Sequence, residues 1–288
     1  MEDLQADFRD FVLRASELRA NQPAAPSAAF GDFAARSREL LLRAIASDLP
    51  RVADAGVLAK RWCPDHDLLA VARIRGKEDP VTELVAWALA PATDPASALD
   101  RQHAFLRLSC WPGELPQAAV VPRTQYRTTA GAYADLILAY PERVVVVEAK
   151  WHDDEHQAAQ TGELQTVHYA QAVRQELVAA ADPLVVFLTP DGRAPRGVGV
   201  PVMHAQLALA LTRALEIHEA RLSPSTREAF RMVFGPLFRW DVPVDLTTLP
   251  DTISRISREG AGWSAGDLGV LLRGHELLNP FLTAESMP

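Results

Sequence analysis

The sequence predicts an α/β fold, a mixed β-sheet flanked by helices with further helical segments at both ends of the chain. Three observations carry this. Apolar positions recur at helical spacing through residues 1 to about 60 and again from about Met203 onward. Between them lie short β-branched runs bounded by turn residues. Those runs are interleaved in the order helix, strand, strand, strand, helix, strand, the pattern of a sheet with helices packed on it.

In the N-terminal part, Phe8–Leu13 and Phe33–Ile45 are amphipathic, and Asn21–Ser27, with two prolines, separates them as a loop. The next helix runs from Glu78 to Pro91. Asp79 suits the N-cap, Pro80 the first turn and Pro91 the stop, while Val81, Leu84, Val85, Ala88 and Leu89 form one apolar face. A helix near Ala104–Cys110 leads to a first strand, Ala118–Tyr126. Gly162–Ala181 reads as one long helix, Pro183–Thr189 as a buried strand and Asp191–Gly199 as a loop. Leu207–Leu211 and Arg227–Phe238 belong to C-terminal helices. The expected boundaries are a helical extension over 1–69, a core over 70–200 and a helical region over 201–288, integrated without a long linker.

The chemistry concentrates in one hairpin. Ala134–Tyr140 and Arg143–Lys150 flank Pro141-Glu142. Proline cannot take the positive φ of a type I′ turn, so a four-residue loop from Tyr140 to Arg143 is expected. Any symmetric loop then sets Asp135 opposite Glu148, with Cβ atoms about 5 Å apart. Alternation along the strand brings Lys150 onto the face of Glu148, where Asp135 joins it. Two carboxylates this close repel each other, and a divalent cation removes the repulsion. Oxygen donors favour Mg²⁺ or Mn²⁺ over zinc, and a neighbouring lysine can orient or deprotonate a water for attack on phosphorus.

The rest of the composition sets bounds. The net charge of −8 speaks against a protein that coats DNA, although an enzyme needs only a local basic groove. Arg123 and Arg127 are candidates for phosphate neighbours. Cys63 and Cys110 have no CxxC partner and no disulfide framework is expected, which fits a reducing cytoplasm. The acidic start, Met1–Asp7, lacks the features of a signal peptide, and no apolar run is long enough for a membrane span. No Walker-type loop and no nucleophile elbow occurs.

Taken together, the acidic-start helix Glu78–Pro91, Asp135, Glu148-Ala149-Lys150 and Gln165-x3-Tyr169 resemble the PD-(D/E)XK nuclease superfamily in its bacterial and phage branch. The resemblance covers about residues 70–195 and implies a restriction-endonuclease-like core. It implies a magnesium- or manganese-dependent nuclease, DNA being the favoured substrate. Asp135 and Glu148 would hold the metal and Lys150 would position the attacking water. Glu78 or Glu83 would add an acid from the opening helix, family position favouring Glu78. Gln165 and Tyr169, on one helical face, would support the lysine or hold the phosphate backbone. Val120–Gln125 is similar to the strand before the motif aspartate. Two positions depart from the pattern: Gln125 stands where some members carry an acid, and Ala134 replaces the proline before the aspartate. Phage defence, restriction and mobile-element processing all use this fold, some through a homodimer or a partner protein.

Two other readings compete. One is a nuclease-fold protein that binds nucleic acid or protein without cutting. The other is a zinc peptidase, since His152-Asp153-Asp154-Glu155-His156 spells H-x-x-E-H, with two potential Zn²⁺ ligands and a glutamate base. That motif needs a helix and a distal third ligand. Here it follows directly on a strand in a polar segment, so a solvated loop or helix start is expected. His168 flanks the Gln165–Tyr169 face and reads as structural.

Overall fold

The computed structural model describes residues 49–63, 78–129, 131, 133–151, 155–158, 161–177, 179, 181–239, 248–257, 270 and 274. The expected helices at Phe8–Leu13 and Phe33–Ile45, with their intervening loop, lie outside the described residues. The chain divides into two compact units, Met1–Arg51 and Val52–Pro288; the contacts below belong to the second.

Its centre is a five-stranded mixed sheet in sequential order: β1 (Arg123–Arg127), β2 (Tyr133–Ala139), β3 (Val144–Ala149), β4 (Leu184–Thr189) and β5 (Val200–Met203). β1, β2 and β3 form an antiparallel meander, while β4 and β5 run parallel to β3. The helices are α1 (Leu49–Trp62), α2 (Glu78–Leu89), α3 (Ala98–Leu108), α4 (Gln165–Glu176), α5 (His204–Glu216), α6 (Pro224–Arg239) and α7 (Leu249–Ser257). Among the described residues, no helix is long and apolar enough to cross a membrane.

β3 is central and buried throughout, as its Val-Val-Val-Val run dictates: β-branched side chains fit a strand covered on both faces. On one face Leu136, Leu138, Val145 and Val147 join the main core, with Val81 and Val85 of α2, Leu207 and Leu211 of α5, and Phe230 and Phe234 of α6. On the other, Ile137, Val144 and Val146 pack on Tyr169, Ala172 and Val173 of α4. The β3–α4–β4 crossover thus seals the second face.

The β2–β3 register pairs Leu136 with Val147, Ile137 with Val146, Leu138 with Val145 and Ala139 with Val144. Both strands stop short of Tyr140 and Arg143, where Tyr140 N–H donates to Arg143 O (3.3 Å). This is the four-residue loop expected from Pro141, and extending the register by one residue sets Asp135 against Glu148.

A polar joint fixes α2 against this hairpin. Gln102 is fully buried and donates to Leu89 O (2.9 Å) and Val120 O (2.6 Å). Its Oε1 accepts from Val120 N–H (3.0 Å) and the Tyr140 hydroxyl (2.8 Å). Arg101, also buried, donates to Ala88 O, Ala90 O and Asp94 O at the same end of α2. The C-terminal carbonyls of α2 are therefore satisfied beside the hairpin turn. From there the 12 residues of α2 run back about 18 Å, matching the roughly 20 Å of a six-residue strand. That match delivers Glu78 to the level of Lys150.

Some sequence expectations are corrected. The first strand begins at Arg123, not Ala118, because Val120 spends both backbone groups on Gln102 and Pro122 has no N–H to pair. The helix expected over 162–181 is α4, Gln165–Glu176; Gly162 (φ +72°) closes a turn onto Ala158 O before it. The helix near Ala104–Cys110 starts earlier, at Ala98, and ends before Cys110, whose left-handed backbone (φ +57°) terminates it. β5 was not expected, since Pro201 interrupts the run; on the sheet edge its missing N–H costs nothing.

Candidate active site

Asp135, Glu148, Lys150 and Glu78 come together where β2 starts, β3 ends and α2 begins. Asp135 Oδ2 accepts a hydrogen bond from Ala149 N–H (2.8 Å), which ties the start of β2 to the end of β3. Glu148 is 1% exposed. The Lys150 ammonium lies 2.6 Å from Glu148 Oε1 and 3.4 Å from Glu78 Oε2, bridging the two. Glu148 Oε1 is held by its ion pair with Lys150, whereas Glu148 Oε2 has no hydrogen-bond donor among the described residues. Glu78 Oε1 accepts from Trp151 N–H (3.0 Å), and Lys150 N–H donates to Leu188 O (3.0 Å), continuing the β3–β4 ladder past Ala149.

The electrostatics follow from three carboxylates and one ammonium in a largely buried space. Burial pushes the Glu148 carboxyl up to about 8; the charge of Asp135 adds to this and Lys150 opposes it. Burial also raises Asp135, against the Ala149 N–H and Lys150. For Lys150, burial works to lower the pKa, but Glu148, Asp135 and Glu78 outweigh it and hold the ammonium above the ordinary lysine range. A carboxyl pushed this far is costly to ionise, and a single ammonium does not offset three carboxylates.

α4 closes the other side. Gln165 Nε2 donates to the Tyr169 hydroxyl (3.0 Å). Burial pushes the Tyr169 phenol up to about 12, with Glu148 the next cause and Asp135 and Lys150 also acting on it. Tyr169 thus lies within electrostatic reach of the cluster, with Gln165 bonded to its hydroxyl. Glu83 is exposed, and among the described residues no hydrogen bond or ion pair joins it to the cluster. The helix acid at this site is Glu78. The reason is helical phase: five residues turn the side chain about 140° away.

Gln125 falls opposite Asp135 in the β1–β2 register, between the Thr124–Leu136 and Tyr126–Ala134 pairs. Its backbone is left-handed (φ +48°) and its side-chain amide donates to Asp79 Oδ1 (3.2 Å) at the start of α2. Such a backbone costs on the order of 1 kcal/mol in a non-glycine residue. Arg123 and Arg127 are exposed on this edge strand, Arg127 lying over the Tyr133 ring (5.3 Å to the centroid).

In the H-x-x-E-H segment, His152, Asp153 and Asp154 lie outside the described residues. Residues 155–158 are not helical, and Glu155 is buried rather than solvated. Its carboxylate is engaged by Thr166 and Gly197, which leaves it no role as a general base. This engagement was not foreseen, because a dense polar run gives no sign of which member turns inward. His168 is buried with its Nδ1 4.0 Å from Glu163, as a structural histidine would be.

The donor set fits a hard divalent cation: Asp135, Glu148 and Glu78 offer oxygen only. Among the described residues, no three His, Cys, Asp or Glu side chains stand in ready metal-binding geometry. The Lys150 ammonium bridges Glu148 and Glu78. No family model, no curated protein and no solved structure matches the chain.

Proposed function

We propose that this chain is a metal-dependent nuclease of the PD-(D/E)XK kind on a restriction-endonuclease-like core, hydrolysing phosphodiester bonds of nucleic acid, with DNA the favoured substrate. The observation that carries the reading is the buried cluster itself: Glu148, with the Lys150 ammonium against one oxygen and no donor at the other among the described residues, gathered with Asp135 and Glu78. One ammonium does not offset three carboxylates, and Glu148 Oε2, without a donor among the described residues, is open to a cation.

Asp135 and Glu148, with Glu78 from α2, would hold Mg²⁺ or Mn²⁺. Bound there, the ion supplies Lewis-acid polarisation of a phosphoryl oxygen and charge stabilisation of the leaving alkoxide. Lys150 stays protonated at neutral pH, so it acts as a donor and not as a base. It orients the attacking water and neutralises charge growing on the phosphoryl oxygens. The Tyr169 hydroxyl accepts from Gln165 Nε2 and keeps its own proton, because its pKa is raised. It can therefore donate to a phosphate oxygen next to the scissile bond. Arg123 and Arg127 on the exposed edge strand offer positive charge to the flanking backbone.

The test is cleavage of linear duplex, circular duplex and single-stranded DNA with Mg²⁺ or Mn²⁺ and with chelator, wild type against Asp135→Asn. Metal-dependent cutting lost in the variant is the expected result, and the substrates then distinguish end-dependent from internal cutting. Metal binding without cutting of any substrate would favour a nuclease-fold binding protein.

A further inference from the structure

We infer that Glu155 is a positioning residue, locking the first turn of α4, which carries Gln165 and Tyr169, to the loop before β5. The inference deepens the nuclease reading and rests on it for its effect on catalysis.

Glu155 is 3% exposed. Its Oε1 accepts from Thr166 N–H (2.9 Å) and the Thr166 hydroxyl (2.5 Å), and its Oε2 from Gly197 N–H (2.8 Å). Leu164, the residue at the N-cap of α4, has no side-chain acceptor. Glu155 supplies the missing cap from outside the helix and sets a carboxylate at the positive end of its dipole. The lock extends on both sides. Gln165 N–H donates to His156 O (3.0 Å), and His156 N–H donates to Gln165 Oε1 (3.3 Å). Because Oε1 is taken by that N–H, the amide of Gln165 is held with Nε2 towards Tyr169, as the 3.0 Å bond requires. On the loop side, Val198 N–H donates to Thr166 Oγ1 (3.0 Å). At Gly197 a Cβ would overlap Thr166 Oγ1 and come within 3.0 Å of Glu155 Oε1, so only glycine lets the loop approach. Burial works to raise the Glu155 carboxyl, but Thr166 and the backbone N–H groups outweigh it and keep it ionised at neutral pH.

The chain of control runs from Glu155 through the first turn of α4 to the orientation of Gln165, and from there to the proton of Tyr169. Glu155→Gln replaces one acceptor with a donor facing N–H groups. Turnover should fall about tenfold to hundredfold, the scale of a small misplacement of an active-site group, with KM for DNA and the Mg²⁺ titration midpoint unchanged. The loss should disappear when Glu155→Gln is made in a Gln165→Ala background, since the group it positions is gone. Thr166→Val should reproduce the effect and Thr166→Ser should not; these variants serve equally if Glu155→Gln does not fold. Losses that multiply between Glu155→Gln and Gln165→Ala, or a fall in thermal stability with unchanged turnover, would overturn the inference. Amide hydrogen exchange separates it from the nuclease reading. In the metal-free folded protein, Glu155→Gln should speed exchange at Thr166 and Gly197 about tenfold or more. Unchanged protection overturns the lock whether or not the wild type cuts DNA, and a wild type that never cuts overturns the nuclease reading alone.

Discussion

Glu148→Gln should make the metal-free protein more stable than the wild type at about pH 8.5 and leave it nearly unchanged at about pH 5. Glu148 is 1% exposed, and its pKa moves from 4.5 in an open environment to about 8 in the fold. The sign follows from proton binding. Between those two values the folded state holds a proton that the unfolded chain has released, so raising the pH favours unfolding. Stability contributed below about pH 4.5 is lost as the pH climbs to about 8. At 1.36 kcal/mol per pKa unit, the penalty reaches on the order of 3–5 kcal/mol above pH 8. Glutamine has nearly the same shape and cannot ionise, so the slope disappears. Lys150 is not stranded by the change, because Glu78 remains 3.4 Å from its ammonium and Asp135 still acts on it. The assay is urea unfolding with chelator across this pH range, wild type against variant. Mg²⁺ should act in the opposite sense on the wild type, stabilising it more as the pH rises and protons cease to compete. A variant less stable than the wild type at pH 8.5 by about 3 kcal/mol would refute the reasoning. It would mean that Glu148 and Lys150 form a structural ion pair.

Three further outcomes follow from the geometry. Glu78→Gln should weaken Mg²⁺ binding about tenfold or more, while Glu83→Gln leaves it unchanged, as calorimetric titration of the two would show. Gln102→Ala strips partners from Leu89, Val120 and Tyr140 and should cost about 3 kcal/mol in urea unfolding, since buried groups left unpaired are expensive. Tyr169→Phe keeps the ring in its place on Val173 and Ala172 but removes the donor, so turnover should fall about tenfold with stability nearly unchanged.

The hairpin was the most legible part of the chain because its information is local. Pro141 restricts the turn, the turn sets the register, and the register sets Asp135 against Glu148. The start of α2 was legible nearly to the residue from Asp79 and Pro80, although the helix begins at Glu78 and so takes Asp79, expected as its N-cap, into its first turn. Which acid of that helix reaches the site was open in the sequence. It depends on where α2 docks, and that is set by Gln102 and Arg101, residues with no helical pattern to reveal them. Glu155 was hidden more completely: among six consecutive polar residues, its partners are Thr166 and Gly197, 11 and 42 positions away. β5 was obscured by Pro201, because a sequence does not show which strand will lie on the edge.

The most direct test of the central claim is duplex DNA cleavage at saturating Mg²⁺ by the wild type and by Lys150→Ala, with metal binding by both measured alongside. The account predicts that the variant still binds the metal and loses cleavage by at least about a hundredfold. A variant that cuts as the wild type does would contradict it.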